Sequence, residues 1–114
     1  MKNVILSAIL LTVLTLTSCV KGYQHEKVVT NNSRETIQVI SGCCDQGETY
    51  TIAPGETETV FACVYQQVNR PEVEDLSWNV TLIQEGVKYD LSNPDLWTPQ
   101  GNERLLKFAF SVND

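Results

Sequence analysis

The chain has 114 residues, with fourteen Asp and Glu against eight Lys and Arg and one His, a formal net charge of −6. That balance argues against nucleic acid, whose phosphates call for a basic surface, and against electrostatic adhesion to anionic lipid. The length suits one small domain, which buries only about 60–70% of its unfolded surface and gains from a covalent staple.

An export signal comes first. Lys2 supplies a positive start, and Val4 to Leu16 is apolar apart from Ser7, Thr12 and Thr15. As a helix this run spans roughly 20 Å, short of the ~30 Å hydrocarbon core, so it reads as a cleavable signal peptide and not as a membrane span. Leu16-Thr17-Ser18-Cys19 then resembles the lipobox of bacterial lipoproteins. The resemblance implies cleavage before Cys19, a diacylglycerol thioether on its sulfur and a fatty-acylated amino group such as a palmitate amide. One acyl chain holds a membrane marginally and several hold it permanently, each buried methylene adding about 0.8 kcal/mol. The expected division is residues 1–18 as signal, 19–25 as lipidated cysteine and tether, and 26–114 as the folded domain. Losing Lys2 with the signal makes the mature protein more acidic still.

Beyond the tether the apolar period is two, the mark of strands, and no useful helix signal appears. Glu26 to Thr30 is a first short strand, closed by the turn-forming Asn31-Asn32-Ser33. Thr36 to Ser41 and Thr49 to Ile52 follow, and Ala53-Pro54-Gly55-Glu56 is a tight turn. Thr57 to Gln66 comes next; its stretch from Val60 to Tyr65 is apolar on both faces, which calls for cover on each side or a bulge. Asn69 to Asp75 is a solvated loop. Leu76, Trp78, Val80 and Leu82 then share one face of a strand, and Glu85-Gly86 turns the chain back into Val87, Tyr89 and Leu91. Ser92 to Glu103 reads as a polar loop around Trp97, and Leu106, Phe108, Phe110 and Val112 alternate to the end. About seven strands without helices make an all-β protein. The expected fold is a small antiparallel β-sandwich, immunoglobulin-like or a related Greek key, with a small barrel as the alternative.

Setting Cys19 aside leaves Cys43, Cys44 and Cys63, an odd number for an oxidising compartment. One of the adjacent pair bonded to Cys63 would close a loop of about 20 residues, worth roughly 3 kcal/mol. A vicinal Cys43–Cys44 bridge is the other arrangement. A metal site is not expected, because no CxxC spacing exists and His25 is the only histidine. No cofactor is implied either.

Asn31-Asn32-Ser33 before Thr36-Ile37-Gln38-Val39, the run Tyr50 to Thr57, and the terminal Phe108 to Asp114 together resemble small lipoproteins abundant in Bacteroidota. The resemblance implies a β-sandwich on a lipid anchor, and it carries no activity. Members exported to the cell surface often have an acidic run after the lipidated cysteine, which Val20 to Gln24 lacks. The absence of aspartate after Cys19 resembles lipoproteins sent to the outer membrane. Outer-membrane attachment facing the periplasm is therefore the expected location.

The sequence does not point to an enzyme. His25 sits beside the tether, no serine or cysteine stands in a nucleophile elbow, and export favours oxidised sulfurs over a Cys/His dyad. Glu72, Glu74 and Asp75 form one acidic loop, and Asp90, Asn93 and Asp95 an oxygen-rich segment without the EF-hand pattern. Trp78 reads as core. Trp97, between Pro94 and Pro99, reads either as a lid over the sandwich or as an exposed ring able to stack on a sugar or a partner protein. Asn31-Asn32-Ser33 and Asn79-Val80-Thr81 fit the N-glycosylation pattern, to which a bacterial lipoprotein gives no role. The expectation is a membrane-anchored, non-catalytic binding module for glycan, peptide or protein, acting through Trp97 or the Glu72–Asp75 loop. An inhibitor or immunity-type lipoprotein that neutralises a toxin or hydrolase is the alternative.

Overall fold

A computed structural model describes residues 22–42 and 47–114. Cys19, Cys43 and Cys44, and with them the cleavage site and the partners expected for Cys63, lie outside the described residues. Eight strands form two four-stranded sheets: β1 (Gly22–Asn31), β2 (Ile37–Ser41), β3 (Glu48–Ile52), β4 (Thr57–Gln66), β5 (Val80–Gln84), β6 (Val87–Asp90), β7 (Thr98–Pro99) and β8 (Leu105–Val112). One sheet runs β4-β1-β8-β7 and the other β3-β2-β5-β6. The chain is thus an all-β sandwich, with eight strands where about seven are expected; the additional one is the two-residue β7 inside the supposed polar loop. β1 and β4 pair in one sheet and β2 and β3 in the other, so the chain crosses between the sheets after β1 and again after β3.

All pairings are antiparallel except that of β1 with β8, which run side by side from Gln24↔Leu105 to Asn31↔Val112. Parallel neighbours need a long connection, and here almost the whole domain supplies it. The registers define two ends. Gly22, Ser41, Gln66, Val80 and Leu105 mark the lower end; Asn31, Ile37, Ile52, Gln84 and Val112 mark the upper.

Strand β1 begins at Gly22, four residues before the expected Glu26, so the supposed tether is largely structured. Burial explains it. Tyr23 is buried with its hydroxyl donating to the Val68 carbonyl at 3.2 Å, and His25 is fully buried. On β4 the expected bulge is present. The register with β1 slips between Lys27 and Val28, leaving Val60 as the extra residue, and both Val60 and Phe61 face inward. Strand β5 starts at Val80, yet Leu76 and Trp78 before it are buried on the face they were expected to occupy, Trp78 donating from Nε1 to the Val73 carbonyl at 2.8 Å.

The Glu85-Gly86 hairpin forms with both residues at positive φ, 52° and 76°. The β7–β8 turn depends on Gly101, where a Cβ would lie 1.7 Å from the Leu105 carbonyl oxygen. The return strand of that hairpin is only partly covered. Val87, Tyr89 and Leu91 alternate as inward-facing residues, but only Leu91 is buried; Val87 and Tyr89 are 50% and 46% exposed. They stay exposed because β7, paired with β8 only at two residues, stops short of covering this part of the sandwich.

Candidate functional site

Two arrangements of chemically interesting side chains emerge, one sealed and one open. The sealed one lies on the inner face of β1. Strand alternation turns Tyr23, His25, Lys27, Val29 and Asn31 inward, and His25 and Lys27 are fully buried. Lys27 Nζ donates to the Ser77 carbonyl and sits 4.0 Å and 4.5 Å from the ring centroids of Phe61 and Trp78. His25 lies among Phe61, Trp78 and Phe108, with centroids 4.6–5.9 Å away. Its Nδ1 is 3.5 Å from the Tyr65 hydroxyl, and its Nε2 has no hydrogen-bond partner among the described residues. Burial, reinforced by the positive Lys27, lowers the His25 pKa to about 3. The imidazole is therefore neutral and enclosed.

Trp97 belongs to this interior as well. It is 4% exposed, and its Nε1 donates to the Leu91 carbonyl at 2.9 Å. An exposed stacking platform is therefore not what the fold makes of it; the short 3₁₀ turn Pro94–Leu96, capped by Asn93 Oδ1 accepting from Asp95 N–H, folds the ring under. It packs on Trp78 and Phe110 at centroid distances of 6.2 and 5.6 Å. Asp90 is likewise structural, accepting from the N–H and hydroxyl of Ser92, which lowers its pKa.

The open arrangement is a groove of about 510 Å³ between β6 and the upper half of β8. Leu82, Leu91, Leu96, Tyr89 and Phe110 supply its apolar surface, with Lys88, Asp90 and Asn113 at its margins. Tyr89 and Leu96 are each 46% exposed. Phe110 is backed by Trp97, so the tryptophan supports the groove from beneath. Beyond Gln84 and Asn113 lie Glu85 and Asp114, and both bear electrostatically on Glu35, whose pKa is raised chiefly by Glu85. Arg34 Nε pairs with Asp114 at 3.3 Å on the exposed rim. The upper end is consequently acidic.

The other expected site residues fall elsewhere. Glu72, Glu74 and Asp75 are exposed on the 3₁₀ turn Val73–Asp75, which crosses the lower end between β4 and β5. None of them lines the groove; the turn is linked to Trp97 through Trp78, which donates to the Val73 carbonyl and packs on Trp97. Cys63 is half-buried on β4, in register with His25. No disulfide is present among the described residues, and none of their His, Cys, Asp and Glu clusters is arranged to hold a metal ion. No helix among them is long and apolar enough to cross a membrane. The sequence reading missed Tyr89, Leu96 and Phe110 as surface formers. The available signal was Leu96 beside a tryptophan, in a loop otherwise polar.

No family model matches the chain, and no curated protein or solved structure shows significant similarity to it.

Proposed function

We propose that this protein is a lipid-anchored, non-catalytic binding module of the cell envelope, held by acyl chains on Cys19 at the outer membrane facing the periplasm, and that it binds through the groove between β6 and β8. The groove carries the reading: there Tyr89, an apolar residue on the inward pattern of β6, meets solvent beside further exposed apolar surface at Leu96. Its position fits the anchor. Only two residues lie between Cys19 and Gly22, so the three steps reach at most about 11 Å. β1 then rises roughly 30 Å from that end. A lipid on Cys19 would seat the lower end on the membrane and lift the groove away from it. The enclosure of His25 supports the non-catalytic part.

The second reading is an inhibitor or immunity-type lipoprotein using Glu72, Glu74 and Asp75. Those carboxylates are exposed, but with Cys19 lipidated they would face the bilayer, so the groove is the better contact surface. The test is a photo-crosslinking amino acid in place of Tyr89 or of Glu74 in the full-length protein, in native envelopes, with mass analysis of position 19. Adducts from position 89 and an acylated cysteine support the proposal. Adducts from 74 alone favour the second reading, and an unmodified thiol at 19 removes the anchor.

A further inference from the structure

Sheet completeness is uneven. β7 pairs with β8 only at Thr98↔Ala109 and Pro99↔Phe108, so among the described residues no strand pairs with β8 on that side alongside Phe110 to Asn113. Strand alternation fixes which backbone groups face that side. The Lys107 carbonyl accepts from Gln100 N–H on the β7 side, whereas the Val112 carbonyl accepts from Asn32 N–H on the β1 side. Ser111 and Asn113 share the alternation of Lys107, so their amides and carbonyls point to the β7 side. Directly across the sandwich stand Leu82 and Tyr89, both lining the groove. An exposed edge of this kind is a template for another chain.

We propose that an extended, basic segment of a partner polypeptide adds as a strand beside Phe110–Asn113, completing the β4-β1-β8-β7 sheet and placing an apolar side chain against Leu82, Tyr89, Leu96 and Phe110. Backbone pairing along β8 supplies the attachment, and the groove selects alternate side chains. Charge complementarity selects the partner's sign. Glu35, Glu85 and Asp114 gather at the upper end, and of the nearby cations Arg34 is engaged by Asp114 and Lys88 shares the groove margin with Asp90. A cationic strand relieves that repulsion and an anionic one adds to it.

This inference rests on the groove being the binding surface and names what fills it. The experiment is an amide NMR titration of the full mature protein in detergent with two heptapeptides, one alternating lysine and valine, the other glutamate and valine. The expected result is shift changes and slowed exchange at Ser111 and Asn113 with the lysine peptide, and at least tenfold weaker binding of the glutamate peptide. Ser111→Pro, which removes one edge N–H from an exposed residue, should weaken the lysine peptide at least tenfold. Glu85→Lys, on an exposed turn, should shrink the preference severalfold and guards against misfolding of the proline variant. Equal binding of both peptides, or perturbation confined to side chains with no change at Ser111 and Asn113, overturns strand addition. No binding of either peptide overturns it too. Crosslinks from position 89 would in that case still leave the binding module standing with a different occupant.

Discussion

The two ends of β1 bury polar side chains on the same face of the same strand and do so by opposite means. At the upper end Asn31 is completely engaged: Nδ2 donates to the Glu35 and Ile52 carbonyls at 2.7 and 2.9 Å, and Oδ1 accepts from the N–H and hydroxyl of Ser33 at 3.0 and 2.6 Å. It ties β1 to the loop before β2 and to the end of β3. Toward the lower end Lys27 and His25 are enclosed by rings, the ammonium donating to the Ser77 carbonyl and the imidazole Nε2 having no hydrogen-bond partner among the described residues. A fully hydrogen-bonded buried amide specifies the fold, whereas a buried cation and an imidazole with an unpartnered Nε2 occupy volume at an electrostatic cost.

Substitution at Lys27 tests this most strongly. Lys27→Ala should lower stability by about 4 kcal/mol, since it opens a cavity between the sheets and leaves the Ser77 carbonyl unsatisfied. Lys27→Met should recover the cavity part of that loss, because an apolar isostere fills the cage without a buried charge, and fall within about 1–2 kcal/mol of the native chain, the Ser77 carbonyl being left unserved. At Asn31 the same logic predicts no such rescue. Asn31→Ala and Asn31→Leu should both cost about 3 kcal/mol, as neither can serve backbone groups of Ser33, Glu35 and Ile52. Urea unfolding of the four variants measures the contrast; a Met variant as weak as the Ala one would erase it.

Acid should act on the lower end next. The His25 pKa lies near 6.5 in the unfolded chain and at about 3 in the fold. Between those values the unfolded chain binds a proton that the folded one refuses, so stability falls as pH drops through 6.5 and continues to fall toward 3. The slope is about 1.4 kcal/mol per pH unit, and the loss reaches about 2 kcal/mol by pH 5. His25→Phe should flatten the profile between pH 7 and 5. Lys27→Met should make the loss smaller, because it removes the second cause of the depression. Denaturation midpoints at stepped pH decide both points.

The strands were legible because alternation and turn residues act locally. Glu85-Gly86, the bulge region Val60 to Tyr65 and the buried face Leu76 to Leu82 all follow from near neighbours in the chain. What the pattern could not convey depends on partners distant in sequence. His25 looked like part of a tether because its neighbours on β4 and β8 lie about 40 and 80 residues on. Trp97 stayed open between a lid and an exposed ring because the loop around it is mostly polar; the lid is what forms, through a 3₁₀ turn of three residues that rotates the ring inward. The groove was hidden for a related reason: Val87 and Tyr89 carry a core pattern, and their exposure follows from the shortness of β7 in the other sheet, which no local pattern records.

Glu85 offers the smallest effect and returns the comparison to the upper end. Its φ of 52° is the one positive value at a described non-glycine residue, and its carboxylate lies against Glu35. Left-handed backbone at such a residue costs roughly 1 kcal/mol relative to Asn or Gly. Glu85→Asn should therefore stabilise the domain by about 0.5–1 kcal/mol and return the raised Glu35 pKa toward its ordinary value, readable by carboxylate NMR. Asn31 makes this end rigid, and Glu85 spends a little of that stability on keeping a negative charge beside the groove. If Glu85→Asn raises stability while weakening the lysine–valine peptide, the acid is there for binding; if both are unchanged, the strain and repulsion at this corner are not what selects the charge of the occupant.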